Sequence, residues 1–180
     1  MLVALLAIPL AGCGSGEPQN ANAPSGTWSV LVEEWKFPKR QYLGTPTDFV
    51  LKIRNTDTRD IPQLIVTIEG LRMQVKQVGA ASEIRPIWLT QDVDYANVTP
   101  YNSALASSFN MGPLAAGDVQ TYKVALTPLR RGNHEVGYKL AADLFGDAKI
   151  VDPDDAPAED TRTVAIDPTP QFDKSFFDEN

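Results

Sequence analysis

The sequence predicts an all-β protein folded as a single antiparallel β-sandwich. Three observations lead there. Apolar residues recur at every second position in several short runs, the period of a strand with one buried face. Clusters of Gly, Pro, Asn and Asp separate those runs at turn-like intervals. No convincing stretch repeats apolar residues at i, i+3, i+4 and i+7, as an amphipathic helix requires.

The chain opens "MLVALLAIPLAGCGSG". Residues 1–11 carry no charge and are almost wholly apolar. About 11 residues fall short of the ~20 that a helix needs to cross a bilayer. An apolar run closed by small residues is the plan of a secretory signal peptide, here spanning residues 1–12. No basic residue precedes the run, so the natural start is expected upstream of Met1. Leu10-Ala11-Gly12-Cys13 resembles the lipobox of bacterial lipoproteins. That resemblance implies a diacylglyceryl group on the Cys13 thiol, with Cys13 as the new N-terminus. Its implied partner is the membrane, and its implied location is the extracytoplasmic face of the cell membrane. Two acyl chains anchor stably where one binds only marginally. Cys13 is the only cysteine, so the mature chain has no thiol left for a disulfide or for redox chemistry.

Residues 13–26, with "GSGEPQNANAPS", are polar and rich in Gly, Pro, Asn and Ser, a flexible tether. The sandwich is expected over residues 27–167. Trp28, Val30 and Val32 set the first period-two run, and Phe49, Leu51 and Ile53 the second, with Lys52 and Arg54 opposite. Leu64, Val66 and Ile68 follow across the polar "NTDTRDIP", which predicts a hairpin or a crossover between sheets. Residues 71–114 read as a long irregular connection, with short strands near 84–89 and 107–111. Loops of that length in compact domains tend to carry function. Regular strands resume with Tyr122, Val124 and Leu126, then with Val136, Tyr138 and Leu140. "AKIV" and "TRTVAI" flank an acidic loop, and residues 168–180 form a tail containing Phe172, Phe176 and Phe177.

"VLKIRNTDTRDIPQLIVTIEG" and "FNMGPLAAGDVQTYKVALTPLRRGNHEVGYKLAA" resemble bacterial extracytoplasmic immunoglobulin-like domains of the CARDB kind. The features that carry this are the strand ending at Asn55, the "GPLAAG" turn and the strand holding Tyr138. "RPIW" and "GDAK" bring the chain nearest to envelope lipoproteins of actinobacteria. The resemblance implies an immunoglobulin-like sandwich and a binding or structural role, and names no ligand. One sandwich hosts many functions.

Composition narrows the function. The net charge of −7 lies wholly outside residues 1–13 and gives the domain no attraction for phosphate backbones, which excludes nucleic acid as a partner. His134 is the only histidine, and no spacing singles out a nucleophile for it to activate, so no enzyme is expected. Blue copper needs two His and a Cys, and a structural zinc site needs four such ligands, so neither metal nor cofactor is expected. Asp152, Asp154, Asp155, Glu159 and Asp160 lack the spacing of a calcium-binding loop and read as solvated.

The aromatic residues are the candidate binding surface. Trp28 has the parity of a core residue. "EEWKFPKRQY" runs Trp35, Phe37 and Tyr42 through basic residues as an exposed lip, and Trp88, Tyr95 and Tyr101 lie in the long connection. Such a lip would hold an envelope protein or stack on a glycan or wall polymer. "PKRQY" and "LRR" are small basic clusters on an acidic body, suited to solubility or to an anionic partner.

Overall fold

The computed structural model describes residues 23–71, 74–76, 84–93, 99–100, 107–144 and 147–168. Four strands come first: β1 (Gly26–Lys36), β2 (Arg40–Tyr42), β3 (Thr47–Asn55) and β4 (Ile65–Glu69). The connection that follows holds the short β5 (Gln74–Lys76), β6 (Ile84–Pro86), β7 (Trp88–Val93), β8 (Thr99–Pro100) and β9 (Ser108–Asn110). The last four are β10 (Val119–Pro128), β11 (Gly132–Ala141), β12 (Ala148–Val151) and β13 (Glu159–Asp167).

These form an all-β sandwich. One sheet runs β7-β10-β3-β1 and the other β8-β9-β4-β11, with β12 and β13 along the second edge of β11. In an immunoglobulin fold, strands A, B, E and D share one sheet and C, F and G the other. Here β1, β3, β10 and β7 occupy the first four places, β4 and β11 the next two, and β12 with β13 the last. The seventh strand is thus split by the excursion 152–158, and β5 with β6 forms a separate small hairpin. Pairing is antiparallel except at β1–β12 and β2–β13, which are parallel.

The period-two runs explain the core. Phe49, Leu51 and Ile53 face inward from β3, and Tyr122, Val124 and Leu126 from the adjoining β10. Val66 and Ile68 of β4 meet them from the other sheet beside Val136, Tyr138 and Leu140 of β11. Phe109 and Tyr122 touch across the interior at 5.2 Å between ring centroids. Fully burying each such side chain stabilises the fold by ~1.5–3 kcal/mol. The polar link after β3 is a sheet-to-sheet crossover. Asn55 closes it from a fully buried position: its amide donates to the carbonyls of Arg59 (2.9 Å) and Leu114 (3.0 Å), and its Oδ1 accepts from the Asp57 N–H.

β1 serves both sheets. Gly26–Ser29 pair with β12, and Val30–Lys36 pair with β3. Between Val32 and Glu34 the register slips, so Glu33 and Glu34 both face outward. A bulge of this kind reverses side-chain parity along a strand. Trp28, Val30 and Val32 point inward before it, and Trp35 and Phe37 point inward after it. Outside, Glu33 bridges Lys52 (2.9 Å) and Arg54 (2.6 Å), which hold its carboxyl below the ordinary value of 4.5.

Candidate functional site

The expected aromatic surface is corrected by the structure for three of its members, Phe37, Trp88 and Trp35. Phe37 and Trp88 are interior, each 2% exposed, with ring centroids 6.0 Å apart. Trp35 is half-buried against the core, 4.9 Å from Tyr138 in an edge-to-face pair. Tyr42 is half-buried on β2. Tyr95, Tyr101 and the lipidation residue Cys13 lie outside the described residues. Trp28 is in the core as its parity predicts, its indole N–H donating to the Asp60 carbonyl (3.1 Å).

The buried aromatics build one end of the sandwich. β1 enters at Gly26 and finishes at the opposite end with Lys36. The register of β3 and β10 puts the β2–β3 turn and the β10–β11 turn at that far end. Backbone bonds tie these loops together: Gly44 N–H to Pro128 O (2.9 Å), Leu43 N–H to Asp167 O (3.1 Å) and Ala165 N–H to Lys39 O (2.8 Å). Beneath them, the Trp88 indole N–H donates to Gln41 Oε1 (2.9 Å), and Gln41 Nε2 donates to the Pro38 carbonyl (3.2 Å). The Trp88 ring meets His134 edge-on at 5.9 Å, and His134 Nε2 lies 3.2 Å from the Arg131 carbonyl. One network, buried at Gln41 and Trp88 and reaching the surface at His134, therefore joins both basic clusters, which are about 90 residues apart in sequence.

The surface above that network carries Lys39, Arg40 and Arg131 exposed and Arg130 half-buried. Asp167 pairs with Arg40 at 2.7 Å. Leu129 precedes Arg130 and is 43% exposed, and Leu89, opposite Thr127 in the β7–β10 register, is 47% exposed. Sequence reading found the cations separately and missed that they converge. It also missed Gln41 and the two leucines, since Leu89 and Leu129 look like core residues by type.

A second feature lies on the flank between β1 and β13. The Arg162 guanidinium covers the Trp35 ring, and its Nη1 donates to the Phe37 carbonyl (3.3 Å). Burial lowers the pKa of Arg162 and raises that of Tyr138. Beside them, Leu31, Val32 and Tyr138 line a groove of about 320 Å³ walled by Asp152, Asp154 and Glu159. The acidic loop organises itself: Asp152 Oδ1 accepts from the N–H groups of Asp154 and Ala156, both at 2.9 Å. Glu159 meets Lys139 at 3.4 Å. Among the described residues, no three His, Cys, Asp or Glu side chains gather as metal ligands would.

No protein-family model matches the sequence, and no curated protein does. Several solved structures share its general shape. The CARDB domain of a Pyrococcus furiosus protein, crystallised with di-metal ions, is 11% identical with a TM-score of 0.48, covering 79% of this chain and 96% of that one. A cohesin module from a Clostridium perfringens family 33 glycoside hydrolase is 12% identical with a TM-score of 0.46, covering 79% and 98%. A fragment of Escherichia coli alpha-2-macroglobulin is 15% identical with a TM-score of 0.44, covering 79% and 17%. The sandwich assignment rests on the strand order described above.

Proposed function

We propose that this protein is a non-catalytic binding module, anchored by lipid on Cys13 to the extracytoplasmic face of the cell membrane, that engages another protein of the cell envelope. The observation that carries this reading is the separation of two ends. The described chain enters the sandwich at Gly26, and the decorated, internally braced surface lies at the other end. Twelve residues lie between Cys13 and Gly26, and their content of Gly, Pro, Asn and Ser is that of a tether. A domain held that way leaves its far end open to partners.

The non-catalytic part is supported by the surroundings of His134, whose Nε2 lies against a backbone carbonyl and whose ring packs on Trp88. A protein partner is favoured over a glycan because Phe37 and Trp88 present no open face on which a sugar could stack. A photo-crosslinking residue introduced at Leu129 in growing cells should capture a protein, and one at Lys123 on the sheet face should not. The captured complex should fractionate with membranes and become soluble in the Cys13→Ser variant. Retention on purified wall glycan without any protein crosslink would reverse the choice of partner.

A further inference from the structure

We infer that the end of the sandwich opposite Gly26 is a docking surface for an acidic segment of the partner protein, one that interleaves carboxylates with apolar side chains. This rests on the binding-module reading and adds the partner's chemistry.

Charge is the first support. The chain as a whole carries −7, yet the loops of this end expose Lys39, Arg40 and Arg131. Asp167 offsets one of these by its pair with Arg40. The sign of the surface is therefore inverted here relative to the rest of the molecule. An acidic partner is repelled by the body and drawn to this end, which raises encounter rate and fixes orientation together.

Apolar exposure is the second. Leu129, next to Arg130 in the chain, is 43% exposed, and Leu89, opposite Thr127 near the end of β10, is 47% exposed. A phosphate-rich wall polymer would neutralise the cations and leave both leucines in water. A peptide bearing Leu or Phe between its acids covers both kinds of group at once. Arginine adds a planar fork that takes a carboxylate through two parallel bonds.

Preorganisation is the third. Gln41 and Trp88, each 2% exposed, hold the Pro38–Tyr42 segment from below, and His134 ties the same network to Arg131. Loops already fixed in place lose less entropy when a partner arrives.

A displayed library of random dodecapeptides, selected on the full chain, tests this. Enriched peptides should alternate Asp or Glu with Leu, Ile or Phe. Their affinity should fall about tenfold or more in the double variant Lys39→Glu, Arg131→Glu, and severalfold in Leu129→Ser. It should also weaken between about 50 and about 500 mM NaCl. All three positions are exposed, so thermal unfolding of the variants should match the parent and exclude misfolding as the cause. Neutral or basic enriched sequences, binding unmoved by the double variant, or no enrichment at all would overturn the inference. So would sodium polyphosphate binding as tightly and indifferently to Leu129→Ser. Selected peptides that map to another face would leave the binding-module reading standing, whereas cells yielding no protein crosslink from the far end would remove that reading too.

Discussion

Arg162 of β13 lies with its guanidinium carbon 3.3 Å from the ring centroid of Trp35 on β1, while Tyr138 meets the same ring edge-on at 4.9 Å. These three side chains close the flank where Val30–Lys36 of β1 pair with β3 and β13 pairs with β11 and β2, so that β1 and β13 form no ladder with each other. A cation over an indole contributes ~0.5–1 kcal/mol when exposed and ~2 when desolvated. Arg162→Ala is expected to cost about 1–2 kcal/mol in urea unfolding, and Arg162→Lys to restore part of it. A neutral Arg162→Ala variant would mean that the flank is held by the core alone.

Gln41 is the only buried group seen to accept the Trp88 indole N–H among the described residues. Gln41→Ala leaves that donor without a partner at a 2% exposed position. The cost is expected to be ~1–3 kcal/mol. Trp88→Phe in the same background should recover some of the loss, because the unsatisfied N–H is then gone. A double-mutant cycle by chemical denaturation reads both numbers.

Asn55 uses two donors and one acceptor inside the crossover. Asn55→Ala should destabilise by ~1–3 kcal/mol, since the Arg59 carbonyl and the Asp57 N–H lose this partner while the Leu114 carbonyl keeps only the Ile61 N–H. Asn55→Asp keeps the shape but turns a carboxylate toward two carbonyl oxygens. Its neutral form is the better tolerated one, so its folded pKa sits above the unfolded value. That variant should therefore gain stability relative to the parent as pH falls through its raised pKa, the gain being complete below about 4. The measurement is the unfolding midpoint at a series of pH values.

Asp57 shows the opposite sign. Arg59 hydrogen-bonds its carboxylate at 2.9 Å and brings the pKa from the ordinary 3.8 to about 2. A folded pKa below the unfolded one stabilises fully above about pH 4 and is lost as pH drops toward 2. Asp57→Asn should lower the neutral plateau and flatten that part of the acid limb, so that parent and variant converge as the pH approaches 2. An acid limb identical in parent and variant would show that the pair contributes nothing to folding.

Gly70 follows β4 with φ of +87°, and a Cβ there would collide with the Glu135 carbonyl oxygen. Backbone strain and a clash against β11 act together, so Gly70→Ala should cost ~2–4 kcal/mol. Gly44 has φ of +73° with open space around it, and Gly44→Ala should cost only the conformational part, ~1 kcal/mol. Thermal melts of the two variants side by side separate strain from collision.

The strands were legible because alternation reports burial directly: Phe49, Leu51 and Ile53 point where the pattern says. Trp35 was misread because the register slip beside Glu33 reverses parity, and a bulge leaves no trace in composition. Phe37 and Trp88 were misread because basic residues and prolines around them imitate an exposed lip, whereas packing against each other and against Gln41 draws them in. Arg162 had a visible signal, since it shares the inward parity of Val164 and Ile166 in "TRTVAI". The convergence of the two basic clusters had none, because it arises from the pairing of β2 with β13 and of β10 with β3.

The passage of β1 between the sheets bears on how the domain takes a mechanical load. A pull applied at Gly26, with the far end held by a partner, runs along the axis of β1. The hydrogen bonds to β12 and β3 lie across that axis, so they resist in shear and must yield as a group. A strand pulled from one end of a hairpin would instead open one bond at a time. The geometry at Gly26 suits a module whose attachment is under tension.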